Sequence, residues 1–246
     1  MAARAEFLER IRREVAKTPG LFGASTAPRP GDPAAAAEAI RRELAERWPE
    51  ALERFRQEFE RVAGVFHRVR DLDAVPDVIG DIAGERGIRS LVTWDPAVLG
   101  FDAAPALSSR GLSVIAARAG QENEVGRLRH RADAAAAQLG VTGADLVLAE
   151  TGTLILLSGA GRPRSTSLLP DVHVAVFGRD RLLESLEQVG VMLEALHVDP
   201  DRAMSGAMIN FITGPSRTAD IELTLTRGVH GPKEVHAIFV EEPIRG

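Results

Sequence analysis

An α/β fold, with a mostly parallel sheet covered by helices on both faces, is the architecture this sequence predicts. Three observations carry that expectation. From residue 72 onward, short apolar runs alternate with amphipathic stretches, the repeat that parallel strands and crossover helices require. The apolar runs are strand-sized, the longest lying around Leu154 to Leu157. Finally, 246 residues, 45% hydrophobic and 26% charged, suit one large domain with an added arm, or at most two small domains. A chain of this size buries enough apolar surface to need no disulfide or metal staple.

The first 17 residues read as an amphipathic helix. Phe7, Leu8, Ile11 and Val15 share one face, Thr18-Pro19-Gly20 stops the pattern, and residues 21–31 form a Gly-, Ala-, Ser- and Pro-rich linker. Such an arm docks either on its own domain or on a partner, and its spacing does not choose between them. Residues 1–31 therefore stand apart from a domain at 32–246. Asp32-Pro33 is a helix start, because Asp caps free N–H groups and Pro fits the first turn. That helix is expected to end near Trp48-Pro49. A second would then carry the stripe Leu52, Phe55, Phe59, Val62 and Phe66, making a helical hairpin over 33–69 against an α/β core at 70–246.

Within the core, Val75, Val78, Ile79 and Ile82 predict a helix that Gly87 ends, followed by strands at Ile88–Trp94 and Leu112–Ala117. A helix over Glu122–Leu139 is expected to stop at Gly140. The runs Leu146–Ala149 and Leu154–Leu157 flank Glu150-Thr151-Gly152-Thr153 as a hairpin with a glycine turn. Strand Val172–Phe177, helix Arg181–Leu196, strand Ala207–Thr213, helix Thr218–Arg227 and strand Val235–Val240 complete the alternation.

Composition removes several classes of function. A net charge of −5 argues against a general nucleic-acid binder, which needs a basic field to neutralise phosphates. The absence of cysteine excludes disulfides, thiolate nucleophiles and cysteine-ligated iron–sulfur clusters in this chain. Charged residues from Arg4 to Glu14 leave no apolar signal-peptide core, and no apolar run reaches the length of a membrane span, so a cytoplasmic protein is expected.

Chemistry concentrates in a few stretches. Thr213-Gly214-Pro215-Ser216-Arg217-Thr218-Ala219-Asp220-Ile221-Glu222 follows an apolar strand and is read as opening a helix, at a strand end where α/β sheets collect ligands. Gly214 lets a ligand approach the backbone, Ser216 or Thr218 caps the helix, its free N–H groups favour an anion, and Arg217 adds a planar fork for carboxylate or phosphate. The competing reading is a capped helix with Asp220 and Glu222 complementing its dipole and Arg217 in solvent. His230, inside Gly228-Val229-His230-Gly231-Pro232, is either an accessible acid/base or a turn residue that merely packs. Glu150 at a strand end is either an acid/base contact or an ordinary solvated hairpin carboxylate. Arg162, Arg164, Ser165, Thr166 and Ser167 form a polar loop that either closes over an anion or is solvated, and His173 in its strand reads as a satisfied buried residue. No short-range ligand pair supports a metal site. Gly159-Ala160-Gly161 lacks the third glycine and the following helix of a dinucleotide fingerprint, and no P-loop or Gly-x-Ser-x-Gly pattern occurs.

Four of these stretches carry a resemblance. Ala149-Glu150-Thr151-Gly152-Thr153-Leu154, Leu169-Pro170-Asp171-Val172-His173-Val174, Gly214 to Glu222, and Gly228 to Pro232 occur here in the order found in the lactate-utilisation protein C family (LutC/YkgG), which defines the LUD domain. The likeness runs through roughly residues 70–241. It implies a three-layer α/β/α fold of the NagB/RpiA/CoA-transferase-like type. It also implies a place beside iron–sulfur subunits in a system converting L-lactate to pyruvate, with no cofactor in this chain and the iron–sulfur clusters in its partners. On that basis Glu150 and His230 are the candidate proton-handling groups. Thr151, Gly152, Thr153, Gly214, Ser216, Arg217, Thr218 and Asp220 are the candidate contacts to a small anionic ligand. The alternative is a stand-alone enzyme acting on a sugar phosphate, folate or CoA ester, as fold relatives do, since one fold hosts many functions.

Overall fold

The computed structural model describes residues 2–17, 30–120, 123–198, 208–219, 225–228 and 230–244. The chain forms two compact units, Met1–Gly31 and Asp32–Gly246. The first holds α1 (Ala2–Ala16), whose Phe7, Leu8 and Ile11 are exposed. The second opens with α2 (Pro33–Arg61), β1 (Val65–Val69), α3 (Val75–Arg86) and β2 (Ser90–Thr93). Short helices α4 (Pro96–Leu99) and α5 (Ala104–Ser109), then β3 (Ser113–Ala116), α6 (Glu124–Ala136) and β4 (Leu139–Gly143), follow. Next come β5 (Leu146–Leu148), β6 (Thr153–Leu157), α7 (Ser165–Leu168), β7 (Val172–Gly178), β8 (Leu182–Leu183) and α8 (Leu186–Val198). The last elements are β9 (Ile209–Ile212), β10 (Arg217–Ala219), β11 (Leu225–Arg227) and β12 (Glu234–Val240).

Six strands make one sheet in the order β1-β12-β7-β4-β2-β3, with every pairing parallel. Helices lie on both faces, so the α/β expectation holds. Beside it stands a mixed four-stranded sheet, β8-β5-β6-β9, which the alternation did not announce. On one face of the large sheet, Phe177 and Phe239 meet Phe55 and Phe59 of α2 and Leu154 and Leu156 of the small sheet. On the other, Leu139, Val174 and Ile238 meet Val75 and Ile79 of α3 and Leu107 of α5. The small sheet turns its second face to α8 and the first half of α2, through Leu148, Ile155, Leu44 and Met192. Each fully buried large side chain contributes roughly 1.5–3 kcal/mol, and these layers are where most of that gain arises.

Three sequence expectations are corrected. Residues 33–69 are not a helical hairpin: α2 runs unbroken through Pro49, and the chain then enters β1. The stripe Ala37, Leu44, Ala51, Leu52, Phe55 and Phe59 is buried on both sides of the proline. That burial outweighs the single backbone hydrogen bond Pro49 removes. Gly140 does not stop a helix, since α6 ends at Ala136 and Gly140 lies inside β4. A Cβ there would stand 1.8 Å from the Thr166 carbonyl oxygen, so glycine is required by the close approach of α7. Thr218–Arg227 is not a helix either. Residues 217–219 and 225–227 pair antiparallel as β10 and β11, Thr218 opposite Thr226.

Candidate functional site

The motif loops gather around the end of α2. Gly152, in the β5–β6 turn, has φ +62°, and a Cβ on it would lie 2.3 Å from the Phe59 nitrogen. Only glycine lets the turn press on the last turn of α2. Gly214 (φ +80°) is held likewise, its hypothetical Cβ 2.5 Å from the Val62 carbonyl oxygen. Arg217 donates from Nη2 to that same oxygen at 2.5 Å. Thr153 Oγ1, buried, lies 2.7 Å from Thr151 Oγ1 and 2.7 Å from Thr213 Oγ1, a hydroxyl chain joining the turn to the end of β9. Ser216 ties in the last loop: its N–H donates to Pro232, its carbonyl accepts from Gly228 N–H, and its Oγ accepts from His230 N–H at 3.4 Å.

Thr151, Gly152, Thr153, Gly214, Ser216, Arg217 and the backbone of His230 are thus brought together. Glu150 points elsewhere, its Oε2 accepting from Leu186 N–H at 3.0 Å, at the start of α8. The backbone of Thr218 lies in β10, and Asp220 falls outside the described residues. The loops sit at the amino ends of β1, β12 and β7, where Gly64, Lys233 and Asp171 precede their strands, and not at carboxyl ends. Nor does a helix begin at Ser216, so no row of free N–H groups faces a ligand there, and the Ser216 amide is already bonded. The polar groups left to solvent are the Arg217 guanidinium, with donors beyond the one used by Val62, the His230 side chain, and Thr151 and Thr213.

Beside these loops lies a network that sequence reasoning missed. His67 Nε2 and His236 Nδ1 are 3.0 Å apart, their rings stacked at 5.3 Å. His236 Nε2 is 3.4 Å from Glu234 Oε2, which accepts from Arg86 Nε at 2.6 Å. Burial holds His236 down to about 4, with His67 and Arg86 adding repulsion, and burial likewise lowers His67. Burial alone would raise Glu234, but the Arg86 and His236 contacts outweigh it and leave it low. Strand alternation could have found the pair, since Glu234 and His236 share a face of β12. His173 is fully buried, as its strand position predicts. Its Nε2 meets Thr142 Oγ1 at 2.8 Å while Nδ1 has no partner, and burial, then His236, brings it to about 3. His130, lowered by burial, reaches Thr166 Oγ1 at 3.0 Å. Among the described residues, no three His, Asp or Glu side chains converge as metal ligands, and no helix is long and apolar enough to cross a membrane.

A parallel six-stranded α/β core with a second mixed sheet, its glycine-dependent turns drawn onto one helix end, defines the class of protein. The sequence profile of the LUD domain matches residues 52–240, and the chain belongs to that family. Lactate utilization protein C of Halalkalibacterium halodurans is 37% identical over 172 residues, 70% of this chain and 71% of that protein. Lactate utilization protein C of Geobacillus sp. is 38% identical over 110 residues, and that of Bacillus licheniformis 39% over 106; each match spans 43% of both chains. The crystal structure of a DUF162 family protein from Deinococcus radiodurans superposes with a TM-score of 0.50 at 21% identity, covering 78% of this chain and 98% of that one. That likeness is one of fold.

Proposed function

We propose that this chain is the LUD-domain component of a system that oxidises L-lactate to pyruvate, working beside iron–sulfur subunits that carry the electrons. The observation that supports this reading is the 37% identity to a lactate utilization protein C across more than two thirds of both chains. A chain without cysteine has no thiolate to ligate a cluster, which fits a division of labour with redox partners. The same reading makes the surface at the end of α2 the contact for a small carboxylate or for a partner. Arg217 supplies the fork and His230 the proton-handling ring. Glu150 drops to a supporting role, because its carboxylate is held by the start of α8.

The test is genetic and biochemical. Deleting the gene abolishes growth on L-lactate, and tagged protein recovers iron–sulfur subunits. His230→Ala, which removes an exposed ring, reduces lactate-dependent growth without lowering the melting temperature. Arg217→Ala does so with a stability loss of about 1 kcal/mol from the lost cap on α2. Intact growth after deletion, with no partner recovered, would end the proposal. Stabilisation by a sugar phosphate, folate or acyl-CoA, with none by lactate or pyruvate, would replace it with a stand-alone enzyme.

A further inference from the structure

A cavity of about 440 Å³ opens on the other rim of the six-stranded sheet. It lies between the segment that follows β1 and the segment that follows β2, lined by Leu72, Asp73, Pro76, Phe101, Asp102 and Pro105. This is the carboxyl-end rim, where open parallel sheets collect ligands, and the volume falls within the range of small-molecule sites. The motif loops occupy the amino-end rim, so this cavity is separate from the surface discussed above.

Its chemistry is one-sided. Leu72, Pro76, Phe101 and Pro105 give it apolar walls, and its charged groups are carboxylates. Among the described residues, no cation pairs with Asp73 or Asp102 in the lining, nor with Asp71 beside it. The arginines near these segments are taken: Arg70 pairs with Glu242, and Arg110 with Asp77 and Asp81. Asp71 and Asp102 also accept backbone N–H groups, from Ala74 and Ala104, so part of their charge complements helical starts. Each helix start carries only about half a positive charge. Two starts against three carboxylates leave the region strongly negative. A lactate- or phosphate-like anion is repelled from such a cavity.

We propose that this cavity binds a small organic cation, a primary amine carried on an apolar body: the ammonium meets Asp73 and Asp102 while the body lies against Phe101 and the prolines. The probe is 2-phenylethylamine, titrated into the full chain and followed by amide NMR. 3-Phenylpropionate, of the same shape and opposite charge, is the control. Saturable shifts at Gly100, Phe101 and Ala106 are expected with the amine and not with the acid. Asp73→Asn with Asp102→Asn weakens the amine at least fivefold at unchanged melting temperature, because Asn still accepts the Ala104 N–H. Asp73→Asn alone, which disturbs no backbone hydrogen bond, gives a smaller weakening. No saturable shift at those amides, equal binding of the acid, or full affinity in the doubly substituted chain overturns the proposal. None of these outcomes touches the lactate reading, whose test rests on growth and partner recovery.

Discussion

The Glu150 carboxylate and the Arg217 guanidinium meet opposite ends of the peptide dipole. One accepts from the first N–H of α8, the other donates to the terminal carbonyl of α2, and each sign is the one its helix end favours. Residue type announced charge at these positions, but charge alone did not say whether a ligand or a helix would receive it. His173 is a clearer case. Alternation in β7 predicted its burial, and the structure adds an unpartnered Nδ1. Its folded value, about 3, lies well below the ordinary 6.5, and His236 follows at about 4. A depressed histidine favours the fold only while the unfolded chain is also neutral. The stability it contributes is therefore complete above about pH 6.5 and is lost as pH falls toward 4. Urea midpoints should be flat from pH 8 to 7 and then drop by the equivalent of roughly 3 kcal/mol by pH 4. His173→Asn should flatten that slope; a slope equal to the parent's would remove His173 as its source.

At the scale of elements, local signals were most reliable where a cap decides. Asp32 accepts from Ala35 N–H and starts α2, and Gly87, at φ +64°, ends α3 as its position in the sequence predicts. They failed where a distant surface decides. Pro49 reads as a stop, yet α2 continues because its buried stripe lies against two sheets. Pro49 itself is exposed, so Pro49→Ala restores a backbone donor without losing packing. It should raise stability by about 1–3 kcal/mol in thermal or urea unfolding, and a neutral or destabilising result would mean the proline shapes the helix path. The stretch after Ser216 went the other way. Thr218, Ile221, Thr224 and Thr226 include the β-branched residues that favour strands, while the helix reading rested on the Ser/Thr cap and the acidic positions behind it. The pairing of 217–219 with 225–227 settles the described part as a hairpin.

Across the whole molecule, every cluster of buried apolar residues is built from position 37 onward. A chain lacking residues 1–31 should therefore unfold cooperatively, with a denaturation free energy within about 1 kcal/mol of the full chain. A larger loss would show that α1 contributes to the fold and is not an arm. Strand and helix alternation, the apolar runs, the glycine turn at Gly152 and the family motifs were all legible in the sequence, because each depends on neighbours a few positions apart. Which rim of the sheet received the motifs, that β5, β6, β8 and β9 form a second sheet, and that His67 meets His236 were not. Those outcomes depend on parallel pairing between strands more than a hundred residues apart, and a one-dimensional pattern specifies the faces of such strands without specifying their order.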